Sequence, residues 1–315
     1  MTARDARAPE GTTPVPDARP DALPGGLPGG PPEALPGALP GPTPDRDPRR
    51  VLAWFVGTLT AVTAVALVPL AVAGADADAF NATVPLLSWA PTLAAFVAHL
   101  GTGRRTPFWR WAAVRPLRTG RVLRTAGLLL AAFVAVPAVT TAVGVATGLV
   151  AWRPTPDAAT LAPLVLPFAL VAMLTVTGEE IAWRGALHTT FARYGLVRAT
   201  VGIGALWALW HLPLLLAYRA GGAMTGRDVV ASMVNLLVAA LVIGAARALS
   251  GSVWPAAWAH ALLNTTLVYA SSNLVTPAAE LGDGAFWALQ AVTWVVLGGA
   301  GVLLLRAAAR RATRA

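Results

Sequence analysis

The chain has 315 residues, of which 56% are apolar and only 12% charged, and its mean hydropathy is +0.61. This composition is typical of a polytopic membrane protein and argues against a soluble enzyme. The net charge of +9 does not indicate nucleic-acid binding, because the arginines lie between apolar stretches instead of forming one basic stripe. The absence of cysteine excludes disulfides, thiol nucleophiles and thiolate metal sites.

The first segment, residues 1–48, is rich in Pro, Gly and Ala and has almost no large apolar side chains. Such a segment cannot bury enough surface to offset the entropy lost on ordering. We therefore expect a disordered cytoplasmic tail, followed by a transmembrane helical domain over residues 49–315.

Apolar stretches of about 20 residues follow, separated by short polar segments, and a helix of that length crosses roughly 30 Å of hydrocarbon. The pattern predicts an all-α polytopic membrane protein with about eight transmembrane helices. The predicted spans lie near residues 51–74, 83–100, 125–150, 161–182, 199–218, 228–247, 253–271 and 285–305. The fourth is expected to continue as a helix past Arg184 toward Arg193.

The placement of arginines predicts the orientation of these spans. The connections predicted to be cytoplasmic carry most of them: Arg49, Arg50, Arg104, Arg105, Arg110, Arg115, Arg118, Arg121, Arg124, Arg193, Arg198, Arg247, Arg306, Arg310, Arg311 and Arg314. The opposite connections hold Arg153, Arg219 and Arg227. Eight spans with both termini in the cytoplasm satisfy every connection, and we expect a multi-pass protein of the plasma membrane.

Glu179 and Glu180 are the only acids well inside a predicted span. A charge at bilayer depth costs roughly 2.5–3.5 kcal/mol even on lenient insertion scales, so such acids indicate function by default. Glu180 and Arg184 lie four residues apart on one helix face and can pair, whereas Glu179 is rotated away from Arg184. The pair predicts one neutralised acid and one acid available as a general base; a structural ion-pair cluster is the alternative.

Three further polar residues lie in apolar predicted helices. His211 precedes Pro213, which removes a backbone donor and frees a nearby carbonyl. His260 and Asn264 share one helix face and could donate two hydrogen bonds to a single oxygen. A hydrogen-bonded core histidine is the alternative for His211, and hydrogen bonding between helices is the alternative for His260 and Asn264. The expected depths allow them to meet Glu179 on the cytoplasmic side of the midplane.

The other two histidines are expected to be interfacial and without a catalytic role. His99 ends the second predicted span beside arginines, and His188 lies toward the cytoplasmic end of the extended fourth helix. The segment from residue 107 to 118 mixes aromatic residues with arginines, which is typical either of an interfacial segment on anionic lipid or of a plain basic loop.

The polar set fits amide hydrolysis inside the membrane. A Glu and a His can hold a water that attacks a peptide carbonyl, and a His and an Asn on one helix face can stabilise the oxyanion that results. Competing protease signatures are missing, since the chain has neither a His-Glu-x-x-His helix nor a Gly-x-Ser-x-Gly elbow.

Three motifs resemble, in this order, those of the CPBP intramembrane proteases, which include the type II CAAX prenyl endopeptidases and bacteriocin-processing or bacteriocin-immunity proteins. The motifs are Glu179-Glu180-Ile-Ala-Trp-Arg184, Trp207-Ala-Leu-Trp-His211 and His260-Ala-Leu-Leu-Asn264. The resemblance covers roughly residues 160–275. Trp207 stands where phenylalanine is more usual, a difference expected to affect packing and not chemistry.

The resemblance implies a role for each motif residue. The implied roles are water activation by Glu179 and His211, oxyanion stabilisation by His260 and Asn264, and support of the site by Glu180 and Arg184. Zinc participation stays open, because Glu179, His211 and His260 are possible zinc ligands but serve equally well without a metal. The expected substrate is a membrane-associated protein or peptide, which need not be prenylated.

Other function classes are compatible with the same residues. Intramembrane Glu, His and Arg can relay protons in a transporter, although the sequence has no second copy of the Glu-Glu pattern. A noncatalytic immunity or scaffold protein would keep the fold without turnover. A haem protein ligated by His211 and His260 is a more remote alternative.

Overall fold

The computed structural model describes residues 47–313. The predicted tail over residues 1–48 therefore lies outside the described residues, except for its last two positions. Asp47 and Pro48 already belong to the first helix, because the Asp47 carboxylate accepts a hydrogen bond from the Arg49 amide and Pro48 occupies the first helical position. This is a standard N-terminal cap.

Seven helices of the described chain have the length and composition to cross a membrane. They are α1 (Pro48–Val72), a broken pair of α2 (Ala77–Leu87) and α3 (Ala90–Gly101), α5 (Thr119–Ala146), α6 (Ala158–Tyr194), α7 (Leu196–Ala220), α8 (Gly226–Ser250) and α10 (Asp283–Ala312). A single turn, α4 (Phe108–Trp111), lies between α3 and α5. The expected continuation of the fourth span past Arg184 is present in α6.

The seventh predicted span, near 253–271, is a helix over residues 254–273 (α9) that is too polar to count among these seven. Its first half is almost entirely buried and packs against α5, α6 and α8, whereas Asn264, Ser271 and Ser272 in its second half are exposed. His260 is tolerated in the buried half because it faces other helices instead of lipid. The expected eight spans are thus seven apolar helices and one more polar helix among them.

The connections lie on two opposite sides of the helices. On one side, Val253 N–H donates to the Ala113 carbonyl (3.1 Å), and on the other, Arg153 N–H donates to the Leu274 carbonyl (3.0 Å). We call these side A, with the connections at 102–118, 195 and 251–253, and side B, with those at 73–76, 147–157, 221–225 and 274–282. Side A is the arginine-rich side that the sequence predicts to be cytoplasmic.

Candidate active site

Two stretches of widened helix flank the predicted catalytic residues. A π-helical segment of α6 (Ile181–Leu187) begins directly after Glu180, and a second one in α9 (Leu263–Leu267) contains Asn264. Such segments occur frequently at functional sites, and they disturb the regular pairing of main-chain groups. The Arg184 carbonyl finds a partner outside its helix, the Nε–H of Arg247 at 2.9 Å.

Glu179 is buried, with 5% of its surface exposed, and is held by an indole. Trp207 Nε1–H donates to Glu179 Oε2 at 2.7 Å, and His211 Nε2 lies 3.9 Å from the same oxygen. The expectation that Trp207 affects only packing was therefore wrong. A donor on the carboxylate fixes its orientation and stabilises its charge.

The proton on His211 is assigned by its partner. Nδ1 lies 2.8 Å from the Trp207 carbonyl oxygen, which can only accept, so Nδ1 carries the hydrogen. In the neutral ring, Nε2 then presents a lone pair toward Glu179. A water molecule has two O–H donors and can satisfy both acceptors at once.

Glu180 accepts two hydrogen bonds on one oxygen. Arg184 Nη1 and His260 Nδ1 each lie 2.9 Å from Glu180 Oε1, and Glu180 has no exposed surface. The predicted Glu180–Arg184 pair is thus present, and His260 joins it. The Arg184 guanidinium also lies over the Trp207 ring, 4.3 Å from its centroid. Arg184, which binds Glu180, and Trp207, which binds Glu179, are therefore in contact with each other.

The four residues predicted to be catalytic line one cavity of about 460 Å³. They are Glu179, His211, His260 and Asn264, contributed by α6, α7 and α9. The two supporting residues, Glu180 and Arg184, are buried behind the cavity wall. The structure therefore brings together all six predicted site residues, and Trp207 of the second motif with them.

The remaining histidines do not line this cavity. His188 is 1% exposed and lies 3.2 Å from the Thr200 hydroxyl, so it is buried between α6 and α7. His99 is half-buried and stacks on Trp111, with ring centroids 5.8 Å apart. The 107–118 segment packs against α6, where Trp111 Nε1–H donates to the Thr190 hydroxyl at 3.0 Å. Its aromatic and basic composition did not predict this contact.

Zinc binding by Glu179, His211 and His260 stays a prediction. Within residues 47–313 no group of three His, Asp or Glu side chains is placed to hold a metal ion. The Glu179 oxygen that faces His211 accepts a hydrogen bond from the Trp207 N–H, and His260 Nδ1 donates one to Glu180. His211 Nδ1 likewise donates to the Trp207 carbonyl, so each of the two imidazoles keeps Nε2 for a water or a ligand.

Two contributors were missed by sequence reasoning. Trp207 was recognised only as part of a motif, although its position one turn before His211 could have suggested contact with the same partner. Arg247 carried no usable signal, because its contact with the Arg184 carbonyl joins residues 63 positions apart.

The part of the chain that carries the three motifs is similar to known proteins. Residues 161–266 match the family model of the Rce1-like type II CAAX prenyl endopeptidases. A curated relative, "CAAX prenyl protease 2" of Methanococcus maripaludis, is 39% identical over 51 residues, which cover 16% of this chain and 19% of that protein. No solved structure matches the chain. The resemblance predicted from the three motifs is confirmed, and at family level it supports a CAAX-type intramembrane protease.

Proposed function

We propose that this chain, whose residues 161–266 match the Rce1-like family model, is an intramembrane endopeptidase acting on a membrane-associated protein or peptide. The observation that carries the proposal is the facing pair of acceptors, Glu179 Oε2 and His211 Nε2, 3.9 Å apart in the wall of a cavity. The bilayer is the protein's other partner, and we propose a plasma-membrane location with both termini in the cytoplasm.

The proposed reaction begins with a water that donates one O–H to Glu179 and the other to His211 Nε2. As the water oxygen bonds to the carbon of the scissile amide, one proton passes to Glu179. The tetrahedral intermediate then expels the amine as the C–N bond breaks, and the proton held by Glu179 goes to the departing nitrogen. Hydrolysis leaves a carboxylic acid and an amine, and the site returns to its starting state.

The proposed oxyanion donors are His260 and Asn264, which lie on one face of α9 and in the same cavity wall. His260 Nδ1 is engaged with Glu180, so Nε2 donates when the ring is an imidazolium. Glu180 then faces two cations, the ring and Arg184, and the Glu179 carboxylate carries the second negative charge of the cluster. In this proposal no step passes through a metal ion.

The experiment is a comparison of membrane proteomes from cells that carry the parent protein or the Glu179→Gln variant. We expect at least one protein to be shortened only with the parent. The matched control is Glu280→Gln, the same chemical change at an exposed side-B carboxylate whose partner is Arg153 (2.6 Å). Cleavage by the Glu179→Gln protein at the parent rate would refute the mechanism.

A further inference from the structure

We propose that the substrate reaches the catalytic residues from side B, as an unwound peptide segment bound along the side-B half of the cavity. The inference rests on the proposed function for the cleavage itself, but the direction of access is a separate property of the fold. Side B is the arginine-poor side, so the proposed substrate presents its cleavage site from the outer face or outer leaflet of the membrane.

The cavity extends toward side B. Leu215 and Ser232 line it, and at 1.5 Å per residue they lie roughly 8–9 Å from the side-B ends of α7 and α8. Leu215 is roughly 28 Å from the side-A end of its helix by the same measure. Val84 and Val268, on two other helices, also line this part and are nearer to side B than to side A.

Toward side A the site is closed. Trp183, Arg184 and Trp207 are each at most 1% exposed, and together they fill the space behind the two glutamates. Beyond them the 107–118 segment is packed directly on α6. The contact is so close that a Cβ atom on Gly185 would collide with the Ala112 carbonyl. The described residues between Glu179 and side A are therefore closely packed at these positions.

The wall of the side-B half suits a peptide more than a hydrocarbon chain. Ser88, Ser232 and Asn235 line it in addition to the catalytic residues. The Asn235 amide oxygen accepts from Trp294 Nε1 at 2.7 Å, which leaves the two amide N–H groups of Asn235 as donors. An unwound segment needs such partners, since each unpaired main-chain group in a membrane costs several kcal/mol.

A second groove shows the contrast. It measures about 800 Å³ and lies between α5, α6 and α9, lined mostly by apolar residues. Two of its polar side chains are engaged with main-chain carbonyls, Tyr269 with Ala158 (2.8 Å) and Thr266 with Leu262 (2.8 Å). That groove suits a lipid chain, whereas the catalytic cavity offers hydrogen-bonding partners.

The test is substituted-cysteine labelling, for which the cysteine-free chain needs no preparation. Ser232→Cys and Ser88→Cys report on the cavity, Ala223→Cys marks the exposed side-B connection, and Leu117→Cys (55% exposed) marks side A. A membrane-impermeant thiol reagent is applied to intact cells and, separately, to inside-out vesicles. Each protein is also labelled after denaturation to measure the total thiol.

We expect the two cavity cysteines to be labelled in the preparation that labels Ala223→Cys. Labelling of the cavity cysteines in the preparation that labels Leu117→Cys, or only after denaturation, would overturn side-B access. These results are independent of activity, so failure here leaves the proposed function standing. A second readout uses a substrate found in the proteome comparison: a charged adduct on Ser232→Cys should slow cleavage at least tenfold, and an adduct on Ala223→Cys should not. Equal rates would overturn peptide binding along this wall.

Discussion

The indole N–H of Trp207 and the carboxylate of Glu179 form a 2.7 Å hydrogen bond between α7 and α6. The oxygen that accepts it is the one nearest His211, at 3.9 Å. Because His211 in turn donates from Nδ1 to the Trp207 carbonyl (2.8 Å), one residue orients both groups proposed to act on water. Trp207 is fully buried, so this orientation does not depend on solvent.

Replacing Trp207 by Phe tests that bond. An aromatic ring remains, but the indole N–H and part of the buried volume are lost, and a hydrogen bond to a charged group alone contributes about 1.5–3 kcal/mol. We expect a loss of unfolding free energy in that range and slower cleavage, because Glu179 is no longer held toward His211. Trp210→Phe is the matched control, since its indole donates to the neutral Thr63 hydroxyl at 2.9 Å. Equal stability of the two variants in detergent would argue against a special role for Trp207.

The two glutamates should respond differently to the same substitution. In Glu180→Gln, Arg184 is left buried without its counter-charge, and breaking a buried ion pair costs about 3–5 kcal/mol. In Glu179→Gln, the amide oxygen still accepts from Trp207, so stability changes little while cleavage falls by about 100-fold or more. Thermal unfolding and cleavage of one substrate by both variants give the comparison. Similar unfolding temperatures would contradict the division of roles.

The sequence predicted the site better than it predicted the partners within the site. Glu180 and Arg184 could be paired because i,i+4 spacing fixes their distance on any helix. The contact between Glu180 and His260 could not, because it joins residues 80 positions apart and depends on how α6 and α9 pack. Motif order thus identified the members of the cavity, and helix packing determined which atoms meet.

The span count shows a similar limit. Apolar length predicts a helix in lipid, and seven helices fulfil that prediction. The first half of the helix over 254–273 is enclosed by α5, α6 and α8, so His260 is not exposed to lipid. Hydropathy cannot reveal that enclosure, since it depends on neighbours that are distant in sequence. The same holds for the 107–118 segment, whose close contact with α6 has no local sequence signal.

Removal of metal ions should leave cleavage intact. In the proposed reaction Glu179 and His211 activate the water, and the described chain has no group of three His, Asp or Glu side chains placed as metal ligands. We expect purified protein dialysed against a zinc chelator to cleave its substrate at the untreated rate. Loss of cleavage that added zinc restores would contradict the proposed water activation by Glu179 and His211 alone.

The Arg153–Glu280 pair, which lies on side B, predicts that the stability of the protein falls slightly as the pH becomes acidic. The hydrogen bond from Arg153 lowers the pKa of Glu280, and the same bond raises the pKa of Arg153. A carboxylate with a lowered pKa stabilises the fold above its unfolded-state pKa, and that contribution disappears as pH falls through the folded-state pKa. The unfolding temperatures of parent and Glu280→Gln should therefore differ slightly at neutral pH and converge in acid. The difference is small because both side chains are half exposed to solvent. A difference in unfolding temperature that stays constant down to strong acid would contradict this account.

The contact of Gly185 with the 107–118 segment is the most direct test of side-A closure. A Cβ atom at Gly185 has no room beside the Ala112 carbonyl, so Gly185→Ala must push the segment away from α6. We expect a loss of about 1–3 kcal/mol of unfolding free energy, as for other overpacked interiors. The matched control is Gly202→Ala, since nothing lies within 4 Å of that Cβ position and alanine favours the helix by about 0.5–1 kcal/mol. If Gly185→Ala proved as stable as Gly202→Ala, the 107–118 segment would not be held against α6, and side A would not be closed by it.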